Sequence, residues 1–133
     1  MPDTKKTILI VDDEDDARAF AESVVSDIGD FNVVEADNGD GCLAAAEEHT
    51  PDLIILDVMM PGKDGFATFN ALRNQAATQE IPVIMLTGVS GETGIAFSAD
   101  TMGEYFGKAP EAFIEKPVNP AQLQDAVRHA LAV

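Results

Sequence analysis

Leu53-Ile54-Ile55-Leu56-Asp57 decides the fold, because four consecutive bulky apolar residues end abruptly on a carboxylate. A strand with one face in water alternates apolar and polar residues. An unbroken run fits a strand buried on both faces, as in a parallel sheet covered by helices. Working outward, similar runs recur at Ile8-Leu9-Ile10-Val11 and Pro82-Val83-Ile84-Met85-Leu86, with less continuous versions at Phe31-Asn32-Val33-Val34 and Ala112-Phe113-Ile114. Helical patterns lie between them. From Glu14 to about Ile28, residues Ala17, Phe20, Ala21, Val24, Val25 and Ile28 form the stripe of a helix with one buried face. Leu123, Ala126, Val127, Ala130 and Leu131 repeat that stripe, with Asn119 as N-cap and Pro120 at the first helical position. Cys42, Leu43 and Ala46 mark a weaker helix ending near Thr50-Pro51, and Asp64 suits the cap of a helix carrying Phe66, Phe69 and Leu72. The stretch from Ser90 to Pro110 contains Gly91, Gly94, Gly103 and Gly107 and is expected to be the most irregular part, with Ile95 to Phe106 its candidate helix.

Strand–helix alternation over this length predicts a doubly wound, flavodoxin-like three-layer α/β sandwich with a five-stranded parallel sheet in the order 2-1-3-4-5 and right-handed crossovers. The 133 residues suffice for one domain, expected to span 1–133 with no output domain. Eight Lys and Arg against 24 Asp and Glu give a net charge of −16. That balance excludes a nucleic-acid-binding surface and an anionic-membrane surface, both of which need clustered cations. No apolar run approaches the roughly 18 residues of a membrane span, and the residues from Met1 to Asp12 do not form a secretory signal. Cys42, the single cysteine, has no partner for an intramolecular disulfide, so a cytoplasmic location is expected.

The residues that follow the apolar runs carry the chemistry. Asp12 and Asp13 follow the first run, Asp57 the third and Thr87 the fourth; Lys116 and Pro117 come just after the fifth. In a parallel sheet these positions share the carboxyl edge, where ligands of open α/β sheets bind. With the order above, Asp57 sits between the acidic pair and Thr87. Two unit charges about 5 Å apart repel by about 3 kcal/mol at an effective dielectric of about 20, so three gathered carboxylates call for a cation. Oxygen ligands without His or Cys favour Mg²⁺ or Mn²⁺. Carboxylate, metal, hydroxyl and ammonium together make a phosphoryl-transfer site, with Asp57 as nucleophile and Thr87 and Lys116 stabilising phosphoryl oxygens.

These residues resemble the receiver domains of two-component response regulators. The matching pieces are Ile8-Leu9-Ile10-Val11-Asp12-Asp13-Glu14, the run from Asp57 through Met60-Pro61-Gly62-Lys63-Asp64-Gly65, Thr87, and Lys116-Pro117. The resemblance implies that Asp57 is the phosphoacceptor, loaded from a histidine kinase or phosphotransfer protein. It implies that Asp12 and Asp13, with Asp57 and the backbone carbonyl of Met59, hold Mg²⁺ (or Mn²⁺). Thr87 matches the switch hydroxyl, Lys116 the phosphate-pairing lysine and Phe113 the switch aromatic, and the Lys116-Pro117 peptide is expected to be cis. The face around Phe113 and the last two helices would then change on phosphorylation and bind a downstream partner the sequence does not name. Departures from the family pattern are Phe113 in place of the usual tyrosine, Gly88 after Thr87, and a longer stretch from Thr87 to Lys116.

Other readings compete. Asp15 and Asp16 read as a solvated helix start, since acids favour helix N-termini. A calcium loop of the EF-hand type fails because Ala17 stands where glycine is required. His49 and His129 read as solvent-facing, Cys42 as a buried apolar residue, and Met59-Met60 as loop and core packing. A haloacid-dehalogenase phosphatase lacks its Thr or Val at Ala17 and has no room for a cap domain. A flavin-binding relative would place a phosphate loop where this chain has carboxylates. An unphosphorylated receiver-like interaction module remains as the alternative to the phosphorylated switch.

Overall fold

A computed structural model describes residues 5–57, 65–87, 112–115 and 118–132. The strands are β1 (Thr7–Val11), β2 (Asn32–Ala36), β3 (Leu53–Asp57), β4 (Val83–Thr87) and β5 (Ala112–Glu115). The helices among the described residues are α1 (Asp15–Ser26), α2 (Gly39–His49), α3 (Gly65–Arg73) and α4 (Pro120–Leu131). All strand pairings are parallel, and the sheet order is β2-β1-β3-β4-β5.

The period-2 alternation of each central strand builds two cores, one on each side of the sheet. Leu9, Val11, Ile54, Leu56, Val83 and Met85 point to the face covered by Cys42 and Ala46 of α2 and by Phe69 and Leu72 of α3. Ile8, Ile10, Leu53, Ile55, Ile84, Leu86 and Ile114 point to the other face, where Ala21, Val24 and Val25 of α1 meet Leu123, Val127 and Leu131 of α4. The continuous apolar runs therefore follow from burial on both faces. β2 lies at the sheet edge and is only half-buried, which is why Glu35 interrupts its apolar pattern.

Local signals bound the helices, and those at Thr50 and Asn119 fall where the sequence indicates. The Asn38 side chain accepts a 2.7 Å hydrogen bond from the Gly41 N–H and caps α2. α2 stops at Thr50, whose φ of 40° is left-handed, just before Pro51. Asn119 accepts from the Gln122 N–H at 3.1 Å and caps α4, with Pro120 at its start.

Two sequence expectations need correction. The second strand begins at Asn32, not Phe31; the Phe31 ring instead packs beside the α1 core. Phe20 belongs to the apolar stripe of α1 by spacing, yet it is 42% exposed. Ala21, Val24 and Val25 fill the face against the sheet, leaving Phe20 at its margin. The expected cap at Asp64 and the stretch from Ser90 to Pro110, with its candidate helix, lie outside the described residues.

Candidate functional site

Sheet register brings the acids together. Val11 pairs with Leu56 across β1 and β3, so Asp12 leaves β1 beside Asp57, the last residue of β3. Carboxylate oxygens of Asp12, Asp13 and Asp57 lie within 4.8 Å of one another. Asp12 is 3% and Asp57 2% exposed, while Asp13 faces solvent. The backbone of Asp12 extends the pairing with β2, donating its N–H to the Ala36 carbonyl at 3.2 Å. Its Oδ1 accepts from the Glu14 N–H at 3.0 Å, an Asx-type turn that redirects the chain from strand into helix. α1 opens without a side-chain cap on Glu14, and Asp15 and Asp16 occupy its first turn, as solvated helix-start acids should.

Sequence reasoning missed Arg18. Its Nη1 donates to the Asp12 backbone carbonyl at 2.6 Å, its Nε donates to Glu35 Oε1 at 2.8 Å, and its Nη2 pairs with Asp15. The Glu35 hydrogen bond, opposed by partial desolvation and aided by Asp15, raises the guanidinium above its ordinary pKa, so Arg18 stays a cation. The i,i+3 spacing from Asp15 is the one signal in the sequence that points to this group. Glu35 lies on a different strand and gives no such signal.

The donor set suits a hard divalent cation. Octahedral Mg²⁺, with metal–oxygen distances of about 2.1 Å, needs ligand oxygens roughly 3–4 Å apart, a small closure of the observed cluster. All three donors are carboxylates, as Mg²⁺ or Mn²⁺ prefers. Ion binding would also remove the mutual repulsion of three acids, two of them buried.

Thr87 ends β4 one residue beyond Leu86, the register partner of Asp57, and pairs with Glu115. Its backbone therefore sits at the same sheet edge as the acids. Phe113 pairs with Met85 in the middle of the β4–β5 ladder. Met59, Lys116 and the Lys116-Pro117 peptide lie outside the described residues. A cavity of about 430 Å³ opens beside Asp12, lined by Asp16, Ala17, Phe20, Leu86, Val118 and Leu123.

Cys42 is buried in the α2–α3 core, and burial pushes its thiol up to about 12, so it is a neutral packing group. His49 and His129 are both exposed. Arg73 and Thr78 are among the buried polar residues that escaped the sequence reading. Arg73 donates to the Ile81 carbonyl at 2.9 Å and stacks 4.5 Å from the Phe69 ring centroid, and the Thr78 hydroxyl donates to the Leu72 carbonyl at 2.6 Å. Both tie the end of α3 to the turn before β4 and stand apart from the acids.

A family model described as the response regulator receiver domain matches residues 8–128. Response regulator Rre1 of Synechocystis sp. is 36% identical over 126 residues, covering 95% of this chain and 52% of that protein. The chain spans about half the length of the curated relatives it matches. Among solved structures, the Vibrio cholerae chemotaxis protein CheY4 aligns with a TM-score of 0.78 and 29% identity, covering 96% of this chain and all of that one (100%). The receiver domain of NtrX from Brucella abortus aligns with a TM-score of 0.76 and 32% identity, covering 95% and 98%.

Proposed function

Since the chain belongs to the response regulator receiver domain family of two-component systems, we propose that it is a phosphorylatable switch in which Asp57 accepts a phosphoryl group from a histidine kinase or phosphotransfer protein. The observation that carries this reading is the gathering of Asp12, Asp13 and Asp57 within 4.8 Å at the carboxyl edge of the sheet, with Asp57 buried at the end of β3. A buried carboxylate carries less hydration to shed before attacking phosphorus. An Asp57 oxygen bonds to phosphorus as the phosphorus–nitrogen bond of the donor phosphohistidine breaks, and the leaving electron pair returns to the imidazole.

Asp12, Asp13, Asp57 and the Met59 carbonyl would hold Mg²⁺ (or Mn²⁺), which supplies positive charge to the phosphoryl oxygens when bound. The Thr87 hydroxyl and the Lys116 ammonium bind those oxygens from the β4 and β5 strand ends, with the Lys116-Pro117 peptide cis. Movement of Thr87 toward the phosphoryl group frees space for Phe113 to pack inward. Phosphorylation then shifts an existing equilibrium at the face around Phe113 and the last two helices, where a downstream protein binds. The chain works in the cytoplasm, catalysing only its own phosphorylation and slow dephosphorylation. Its 24 acids against eight bases support a protein partner, not nucleic acid or an anionic membrane.

The test is intact mass after incubation with acetyl phosphate, with and without Mg²⁺, beside Asp57→Ala. One added phosphoryl group that needs both Mg²⁺ and Asp57 supports the switch. Labelling that persists in Asp57→Ala overturns the acceptor assignment. No labelling of the folded chain favours an unphosphorylated interaction module.

A further inference from the structure

Arg18 joins three parts of the fold through one side chain. Its Nη1 reaches the Asp12 carbonyl at 2.6 Å in the β1–α1 turn, its Nε reaches Glu35 at 2.8 Å on β2, and its Nη2 reaches Asp15 in the first turn of α1. The Arg18 side chain is only 13% exposed, so these contacts are held within the structure. The Asp12 carbonyl belongs to the peptide that links Asp12 to Asp13. That peptide is planar, so pinning its oxygen sets the directions in which both neighbouring Cα atoms project their carboxylates. A planar guanidinium with donors on three nitrogens can satisfy three acceptors at fixed angles, whereas a lysine ammonium presents one point.

We propose that Arg18 is a positioning residue for the acidic cluster, holding the Asp12–Asp13 peptide in the orientation that divalent-cation binding requires. The inference rests on the metal-binding reading of Asp12, Asp13 and Asp57, and its sign separates it from a simple charge effect. As a charge, Arg18 repels a cation, so neutralising it would tighten Mg²⁺ binding. As a positioning group, its loss weakens binding. Removing an outer partner of a metal ligand typically costs about 10–100-fold in affinity, and the lower end suits this partly open site.

The experiment titrates MgCl₂ into ¹⁵N-labelled wild type, Arg18→Lys and Arg18→Gln, without any phosphoryl donor, following backbone amide shifts. Both variants are expected to bind Mg²⁺ about 10-fold more weakly. The metal-free spectrum of each should match wild type outside residues 12–18 and the β2 edge. Unchanged affinity in Arg18→Lys, or tighter binding in Arg18→Gln, overturns the proposal while leaving the metal reading intact. Absence of Mg²⁺ binding in the wild type overturns the metal reading and this proposal with it. If both Arg18 variants unfold, Glu35→Gln releases one leg of the clamp from an exposed position. It should shift the metal-free Asp13 amide resonance, and an unmoved resonance overturns the proposal.

Discussion

The Gln124 side-chain amide donates a 3.1 Å hydrogen bond to the Val24 carbonyl, tying α4 to α1. The two helices cover the same face of the sheet, and the tie reinforces the shared packing of Val24, Val25, Leu123 and Val127. A partly buried hydrogen bond of this kind contributes about 1 kcal/mol net. Gln124→Ala is therefore expected to lower stability by about 1 kcal/mol, read as a lower urea midpoint with unchanged slope. A midpoint equal to wild type would show that apolar packing alone holds the two helices together.

Removing one charge from the acidic cluster should act in opposite directions with and without metal. In metal-free buffer, Asp57→Asn removes repulsion from Asp12 and Asp13 and is expected to stabilise by about 1–2 kcal/mol, roughly 3–8 °C in melting temperature. Added Mg²⁺ should raise the wild-type melting temperature and leave the variant nearly unchanged. Paired melts with EDTA or MgCl₂ check this. A metal-free variant less stable than wild type would mean that favourable interactions of the Asp57 carboxylate outweigh the repulsion.

The α2 cap gives a prediction free of any functional reading. Asn38→Ala removes the acceptor for the Gly41 N–H, a bond of 2.7 Å, and should cost about 1 kcal/mol. Asn38→Asp should retain most of that stability, because a carboxylate also caps and favours a helix N-terminus. Chemical denaturation of both variants beside wild type measures the difference.

Cys42 sets an alkaline limit on stability. Below about pH 8.5 the thiol is neutral in both folded and unfolded chains and contributes no pH slope. Above that, the unfolded chain loses its thiol proton while the folded thiol, pushed up to about 12 by burial, keeps it. Stability from this group is lost as pH rises toward 12, at no more than about 1.4 kcal/mol per pH unit. Cys42→Ala should flatten the decline between about pH 9 and 11, measured as the difference between the two pH–stability curves. Parallel curves would mean that the thiol titrates alike in both states.

How far the chain could be read without coordinates depended on whether each signal was local. Leu53 to Leu56 announced a doubly buried strand because both faces of β3 are covered, and Asp57 stood out because a carboxylate ends that run. Asn38 was not singled out as a cap, whereas Asn119 was, because Pro120 follows it and marks the helix start. The α1 stripe was correct for Ala21, Val24 and Val25 but included Phe20, since helical spacing defines a wide face and only neighbouring elements decide how much of it is covered.

The sequence by itself determined the alternation of strands and helices, the parallel character of the central strands, and the placement of Asp12, Asp13, Asp57 and Thr87 at strand ends. Each of these follows from short-range periodicity, which the backbone geometry of strands and helices imposes. Only the tertiary structure decided how closely the three expected carboxylates approach, within 4.8 Å, that Phe20 stays exposed, and that Arg18 reaches Glu35 and the Asp12 carbonyl. Those contacts depend on strand register and on which element lies beside which, and chain-distant residues leave no periodic trace of where they will meet.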